Sequence, residues 1–309
     1  MSAAVDHTTV EGFPAVRLTS PDGRSTAVVV PGLAMLACSL RREGEELLGQ
    51  RRGVRAYAET GSTMGIPLLY PWANRLSDLD AAGVALDRGS ELLRIDEATG
   101  LPVHGVRLRG AAWTTEAATV EDAALVSGTL DLAADRALRA ALPWPHRLTV
   151  THRLDDRGLA VTTTVVSTGD VPVPIAFGFH PYVALPDAPR SAWILRADVR
   201  ERLELDERML PTGRRSPVEP FDGPLGDRSL DDGYAMAAPG GLSVAGPRHR
   251  VEIALDHTYP FAQIYAPPGR DLIALEPMTA PTDALAARRD LPEVEPGGEF
   301  SAVFRVNVR

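Results

Sequence analysis

The chain has 309 residues, 44% of them hydrophobic, which is enough for a sizeable core. Its formal net charge of −9 argues against nucleic acid or an anionic membrane as the main partner. All 32 basic residues are arginine, which excludes Schiff-base lysine chemistry and a Walker A loop, and the one cysteine, Cys38, cannot form an internal disulfide.

Taken in order, residues 10–18 and 25–30 read as strands joined by the turn Ser20-Pro21-Asp22-Gly23. Pro31-Gly32 breaks the pattern and 33–40 resumes it, with Cys38 expected as a small buried side chain. The first residues include Asp6 and His7 and no apolar leader. The apolar run 27–40 is interrupted and too short to span a membrane, so a soluble cytoplasmic protein is expected. Residues 57–65 read as a loop of small residues. In Ile66-Pro67-Leu68-Leu69-Tyr70-Pro71-Trp72-Ala73-Asn74-Arg75-Leu76, two prolines and two aromatics precede an Asn-Arg pair. An aromatic platform beside a forked donor suits a sugar, with Trp72 the expected stacking ring. The plainer alternative is a surface arginine after an aromatic loop.

Residues 83–95 read as strand pieces, and His104 ends a loop beside Gly105. Residues 113–132 alternate in short runs, with turns expected at Glu121-Asp122 and Ser127-Gly128. Residues 135–142 suit a short helix before Pro143-Trp144-Pro145. The run 146–154 alternates, with Leu148, Val150, His152 and Leu154 on one face, and 159–166 returns as its partner. His146 and His152 are therefore expected on strand faces rather than as ligands.

The stretch Ala176-Phe177-Gly178-Phe179-His180-Pro181-Tyr182-Val183 is the most pointed in the chain. The aromatics favour a strand, Gly178 permits close approach of another backbone, and Pro181 ends the pairing just after the histidine. That placement aims an imidazole into a cavity; a satisfied histidine at a strand end is the alternative. Residues 193–205 have strand character, and 211–229 read as a long loop. It leads to Asp231-Asp232-Gly233-Tyr234, either a functional acid pair or a solvated turn. Residues 242–245 and 251–255 suit a hairpin, and 261–265 a strand. The apolar strand 272–279 carries one acid, Glu276, whose burial is costly unless it is paired or used. A helical turn at 283–289 and a strand at 300–308 close the chain. Many short strands, turn signals and few long helical patterns argue an all-β fold, a large antiparallel sandwich, with 1–309 as one domain.

Asn74-Arg75, His104-Gly105, Gly178-Phe179-His180-Pro181-Tyr182, Asp231-Asp232-Gly233-Tyr234 and Glu276-Pro277 stand in the order found in the aldose 1-epimerase (galactose mutarotase) family, which this chain resembles over nearly its whole length. The resemblance implies a large antiparallel β-sandwich with a pocket on one concave sheet. It also implies interconversion of the α and β anomers of free sugars, without a cofactor or metal. His180 would be the acid and Glu276 the base, with Asn74, Arg75, His104 and Asp231 binding the sugar. Galactose-type members commonly follow the glutamate with glutamine; here Pro277-Met278-Thr279 follows.

That chemistry suits the residues at hand. Ring opening removes a proton from the anomeric hydroxyl and delivers one to the ring oxygen, a task for one carboxylate and one imidazolium. Two other readings are a noncatalytic sugar-binding protein on the same fold and a metal-dependent hydrolase, for which no ligand spacing stands out. The expected partner is a small sugar, with the protein a monomer or homodimer. Because Arg75 is the recurrent cation of the motif windows, an unphosphorylated sugar is expected.

Overall fold

The structure is a computed structural model and describes residues 2–237 and 239–309. Its hairpins form where the turn chemistry demands. His146–Asp155 and Gly158–Ser167 pair in register from Asp155 opposite Gly158 to His146 opposite Ser167. A Cβ at Gly158, whose φ is +139°, would lie 2.1 Å from the Val306 carbonyl oxygen, so glycine is required where the neighbouring strand passes. Along His146–Asp155 the side chains of Leu148, Val150, His152 and Leu154 are buried and those between them are more exposed, the expected period of two.

Two large antiparallel sheets result. A nine-stranded sheet runs through Phe221–Pro224, Ile194–Ala197, Gly240–Ala245, Arg250–Leu255, Glu299–Val308, Gly158–Ser167, His146–Asp155, Ala123–Asp131 and Thr114–Val120. The other runs through Pro211–Pro217, Val199–Leu205, Leu230–Met236, Phe261–Ala266, Ile273–Met278, Gly178–Phe179 and Leu68–Leu69, with Tyr182–Val183 also paired to Ile273–Met278. A five-stranded sheet from Ala4–Val10 to Glu45–Glu46 adjoins them. The main core joins Val150, Val161 and Phe304 of the first sheet to Phe179, Ile264 and Leu275 of the second. The rings of Phe179 and Phe304 meet across it at 5.0 Å. This is the expected all-β antiparallel sandwich. Among the described residues no helix is long and apolar enough to cross a membrane.

Several local expectations hold. The helix Arg136–Ala141 is capped by the Asp135 carboxylate, which accepts from the amides of Ala137 and Leu138 at 2.9 and 3.0 Å. Cys38 is buried. His146 and His152 are core residues: His152 Nε2 meets the Met35 carbonyl at 2.8 Å, and His146 meets the Tyr70 hydroxyl.

Others fail for identifiable reasons. Ser127-Gly128 is no turn but lies inside Ala123–Asp131, where Gly128 makes room for the Met35 side chain; a Cβ there would sit 2.2 Å from its sulfur. Residues 211–229 hold the strands Pro211–Pro217 and Phe221–Pro224, at sheet edges where proline and charge are tolerated. Residues 57–65 begin within the helix Gly53–Thr60, which buries Val54 and Tyr57. Of 83–95, only Leu93–Ile95 is a strand.

Candidate active site

Several chain segments, taken in three groups, bring the site together on the open face of the second sheet. In the first, strand alternation divides Phe177 and Phe179, which enter the core, from His180 and Tyr182, which face the other way. Gly178 sits between Met278 and Leu69 in the sheet; a Cβ there would lie 2.7 Å from the Pro277 carbonyl oxygen and 3.0 Å from the Ala73 Cβ. Pro181 then hands the chain over to Tyr182–Val183, and its carbonyl accepts from the Leu275 amide at 3.1 Å.

In the second segment, Ile273 and Leu275 enter the core, while on the opposite face Ala274 packs with Tyr182 and Leu272 and Glu276 lines the cavity. The register sets Gln263 beside Glu276 and Gly233 beside Gln263, with Asp231 opposite Tyr265 in the next row. Gly233 leaves room for Gln263, whose Oε1 would stand 3.2 Å from a Cβ there. Gln263 Nε2 donates to Asp231 Oδ1 at 2.7 Å. Asp232 has the opposite parity and approaches Arg202 at 3.9 Å, so of the two acids only Asp231 lines the cavity.

The third segment carries Asn74-Arg75 and His104-Gly105. Bridges Tyr70 to Gly105 and Arg75 to Val103 lay the two stretches side by side. Asn74 and His104 both adopt left-handed backbone, with φ of 58° and 64°, and the His104 amide donates to the Asn74 carbonyl at 2.9 Å. Such conformations concentrate where a fold must aim a side chain against its local preference. Gly105 is enforced sterically, since a Cβ would fall 2.0 Å from the Tyr70 carbonyl oxygen.

These segments enclose a polar cavity of about 240 Å³. Its walls include all six residues singled out from the sequence: Asn74, Arg75, His104, His180, Asp231 and Glu276. His180 Nε2 lies 3.1 Å from Glu276 Oε1 and 3.3 Å from the Tyr182 hydroxyl, and the His180 and Tyr182 rings stack with centroids 4.3 Å apart. His104 stands edge-on to His180 at 5.5 Å. Asn74 is itself buried; its Oδ1 accepts from the Arg75 amide and from Arg75 Nη1 at 2.9 and 3.2 Å. With the Asp96 carboxylate 2.9 Å from Arg75 Nε, it fixes the guanidinium. Trp72 is in the hydrophobic core and does not line the cavity; the aromatics that do are Tyr182 and Tyr265.

Burial dominates the electrostatics. It pushes the Glu276 carboxyl well above the ordinary range, aided by Asp231 and opposed by Arg75. It pushes His180 well below its ordinary value, aided by His104, Arg51 and Arg94. His104 is driven down to about 3 by burial, and the Asp231 carboxyl is raised by burial against its bond from Gln263. Glu276 Oε2 has no hydrogen-bond partner among the described residues. Both shifts favour the neutral pair, carboxylic acid beside imidazole, over the ion pair. Among the described residues, no group of three or more His, Cys, Asp or Glu is placed to hold a metal ion.

The family model for aldose 1-epimerase matches residues 14–307. The chain belongs to the aldose 1-epimerase family. Solved structures agree on the fold. A galactose mutarotase-like protein from Clostridium acetobutylicum is 17% identical with a TM-score of 0.81. The galactose 1-epimerase from Lactobacillus acidophilus is 16% identical with a TM-score of 0.75. An aldose epimerase homologue from C. elegans is 16% identical with a TM-score of 0.70. Each alignment covers 100% of this chain and 99% of the other.

Sequence reasoning missed part of this epimerase-family cavity. Gln263 was open to it, as the one polar residue in the strand Phe261–Ala266. Arg51, Thr63 and Asp96 were not, because they lie in loops without a pointed signal, and Arg94 sat among other charged residues of its stretch with nothing to single it out. Arg75 was the recurrent cation of the motif windows, and Arg51 and Arg94 line the cavity as well, which removes the ground on which an unphosphorylated sugar was expected.

Proposed function

We propose that the protein interconverts the α and β anomers of an aldose through acid–base opening and reclosure of the ring. The observation that carries this reading is the buried His180–Glu276 pair, 3.1 Å apart on the wall of a polar cavity. Glu276 takes the proton of the anomeric hydroxyl while His180 gives a proton to the ring oxygen, and the C1–O5 bond breaks to leave a C1 aldehyde and a C5 hydroxyl. The pair thereby passes from carboxylate and imidazolium to carboxylic acid and imidazole. Burial favours both neutral forms, so the ion pair from which ring opening starts lies above the neutral pair, and it forms when the proton passes from Glu276 to His180 across their 3.1 Å contact. Rotation of about half a turn about C1–C2 presents the other aldehyde face, and both transfers reverse.

Arg75, held by Asp96 and Asn74, and the Asp231–Gln263 pair supply donors and acceptors for ring hydroxyls. His104 stays neutral and offers one more hydrogen bond beside His180. Residues 1–309 are read as one domain, supported by a core cluster that draws on residues from Val16 to Val308. A noncatalytic sugar-binding protein would have no need for a buried acid and base in contact.

The test is saturation-transfer NMR between α and β anomers over a panel of aldoses. Exchange faster than the spontaneous rate and proportional to enzyme is expected for at least one sugar. Binding without any acceleration would favour the noncatalytic reading.

A further inference from the structure

The cavity has two electrically different ends. At one end Glu276 feels Asp231 and Arg75, and Arg75 is neutralised by Asp96 at 2.9 Å. At the other end His180 and Tyr182 feel Arg51 and Arg94. Arg51 Nη1 donates to the Tyr182 hydroxyl at 2.6 Å and to Thr63 Oγ1 at 3.2 Å. Arg94 lies on the strand Leu93–Ile95, paired with the strand that carries His104, and donates to the Gly61 carbonyl at 3.3 Å. Among the described residues neither Arg51 nor Arg94 forms a salt bridge, and both are exposed, so a ligand in the cavity can reach them. A second cavity shares Thr63, Arg94, Val103 and His104 with the first and adds Arg109 and Arg107, the latter paired with Glu91 at 3.9 Å.

The direction of this asymmetry follows from the reaction. If Glu276 marks the anomeric hydroxyl and His180 the ring oxygen, the far side of His180 from Glu276 is where C5 and its substituent lie. Arg51 is one hydroxyl away from His180 on the Tyr182 side. Two guanidiniums without carboxylate partners at that position have more donors than a neutral hydroxymethyl group can use, and their geometry suits anionic oxygens.

We propose that the preferred substrate is an aldose bearing an anionic group, phosphate, sulfonate or carboxylate, on the C5 side of the ring oxygen, held by Arg51 and Arg94. The assignment of that end rests on the anomer-exchange reading; the anion preference itself can be measured by binding alone.

Isothermal titration of the wild-type protein would compare glucose and galactose with glucose 6-phosphate, glucose bearing a 6-sulfonate, and glucuronate. At least one anionic sugar should bind roughly 10- to 100-fold tighter than its neutral parent, the span of charge-assisted hydrogen bonds. The three arms identify which anion is meant. In Arg51→Gln/Arg94→Gln that preference should shrink about tenfold or more. Should this variant not fold, the salt response of the wild type decides: the preference must fall as ionic strength rises from about 0.05 to 0.5 M. Neutral sugars binding as tightly as all three anions, a preference surviving in the double variant, or one unmoved by salt would overturn the proposal. A clear anion preference without anomer exchange on any sugar would leave this inference standing and defeat the proposed reaction instead.

Discussion

Glu276→Gln separates the proposed base from every other property of the site. The amide keeps the size of the side chain and can still hydrogen-bond His180 and a sugar hydroxyl, but it cannot take a proton at neutral pH. A positioned acid or base supplies about 10²–10⁴-fold, so kcat for anomer exchange should fall by that factor while sugar affinity changes little. Folding should not suffer. Glu276 is 2% exposed and its carboxyl is pushed well up by burial, so a neutral isostere relieves a desolvated acid, and the melting temperature should equal or exceed that of the wild type. Pairing the change with His180→Asn tests whether the two act as a unit. The double variant should lose far less than the product of the single losses, because each removes half of one proton relay. The assay is saturation-transfer NMR with the enzyme-free exchange rate subtracted, since spontaneous mutarotation sets a floor. A rate within threefold or so of wild type above that floor would refute the assignment, the general-base contribution being far larger. Asp231, across Gln263 from Glu276, would then be the next acid to test.

Four further outcomes follow from the same geometry. Asp231→Asn should raise KM about tenfold, a charged hydrogen bond's worth, with a much smaller loss of kcat than Glu276→Gln; a comparable kcat loss would make Asp231 part of the proton chemistry. Tyr182→Phe removes the hydroxyl that joins His180 Nε2, Arg51 and Thr63, so steady-state kinetics should show both kcat and KM worsened, and unchanged kinetics would sink the idea that it positions His180. Gly105→Ala should lower the melting temperature and activity together, because its Cβ would meet the Tyr70 carbonyl at 2.0 Å with φ at +78°; a normal thermal scan would count against the tight packing described. Stability should fall on acidification from pH 7 to 5. His104 and His152, driven by burial from 6.5 down to about 3 and about 4, refuse protons that the unfolded chain accepts below about pH 6.5, each destabilising by up to about 2 kcal/mol at pH 5. Glu276, with its pKa raised, acts in the opposite sense and offsets part of this loss, so a melting temperature that rises toward pH 5 would contradict the burial assigned to these histidines.

Local chemistry was legible from the residue order alone: the alternating run through Leu148 and Leu154, the capped helix after Asp135, the hairpin turn before Gly158, and the abrupt stop after His180. Each depends on neighbours within a few residues, through side-chain parity, a backbone donor or a fixed φ. The acid Glu276 in an apolar strand was also conspicuous, because burying a charge without use is costly. What the sequence could not reveal is whatever depends on contacts between distant segments. Gly128 looked like a turn until Met35, far away in the chain, was seen to fill the space above it. Trp72 looked like a sugar platform, but the bridge from Trp72 to Ala176 belongs to a segment whose large ring is in the core, leaving Tyr182 and Tyr265 to line the cavity. Asp231 and Asp232 were indistinguishable until the register against Phe261–Ala266 gave them opposite faces. Arg51 and Arg94 are two of 32 arginines in the linear chain. Only tertiary packing sets them beside His180 without acidic partners, since the field at a site is a sum over groups that are near in space and unrelated in sequence.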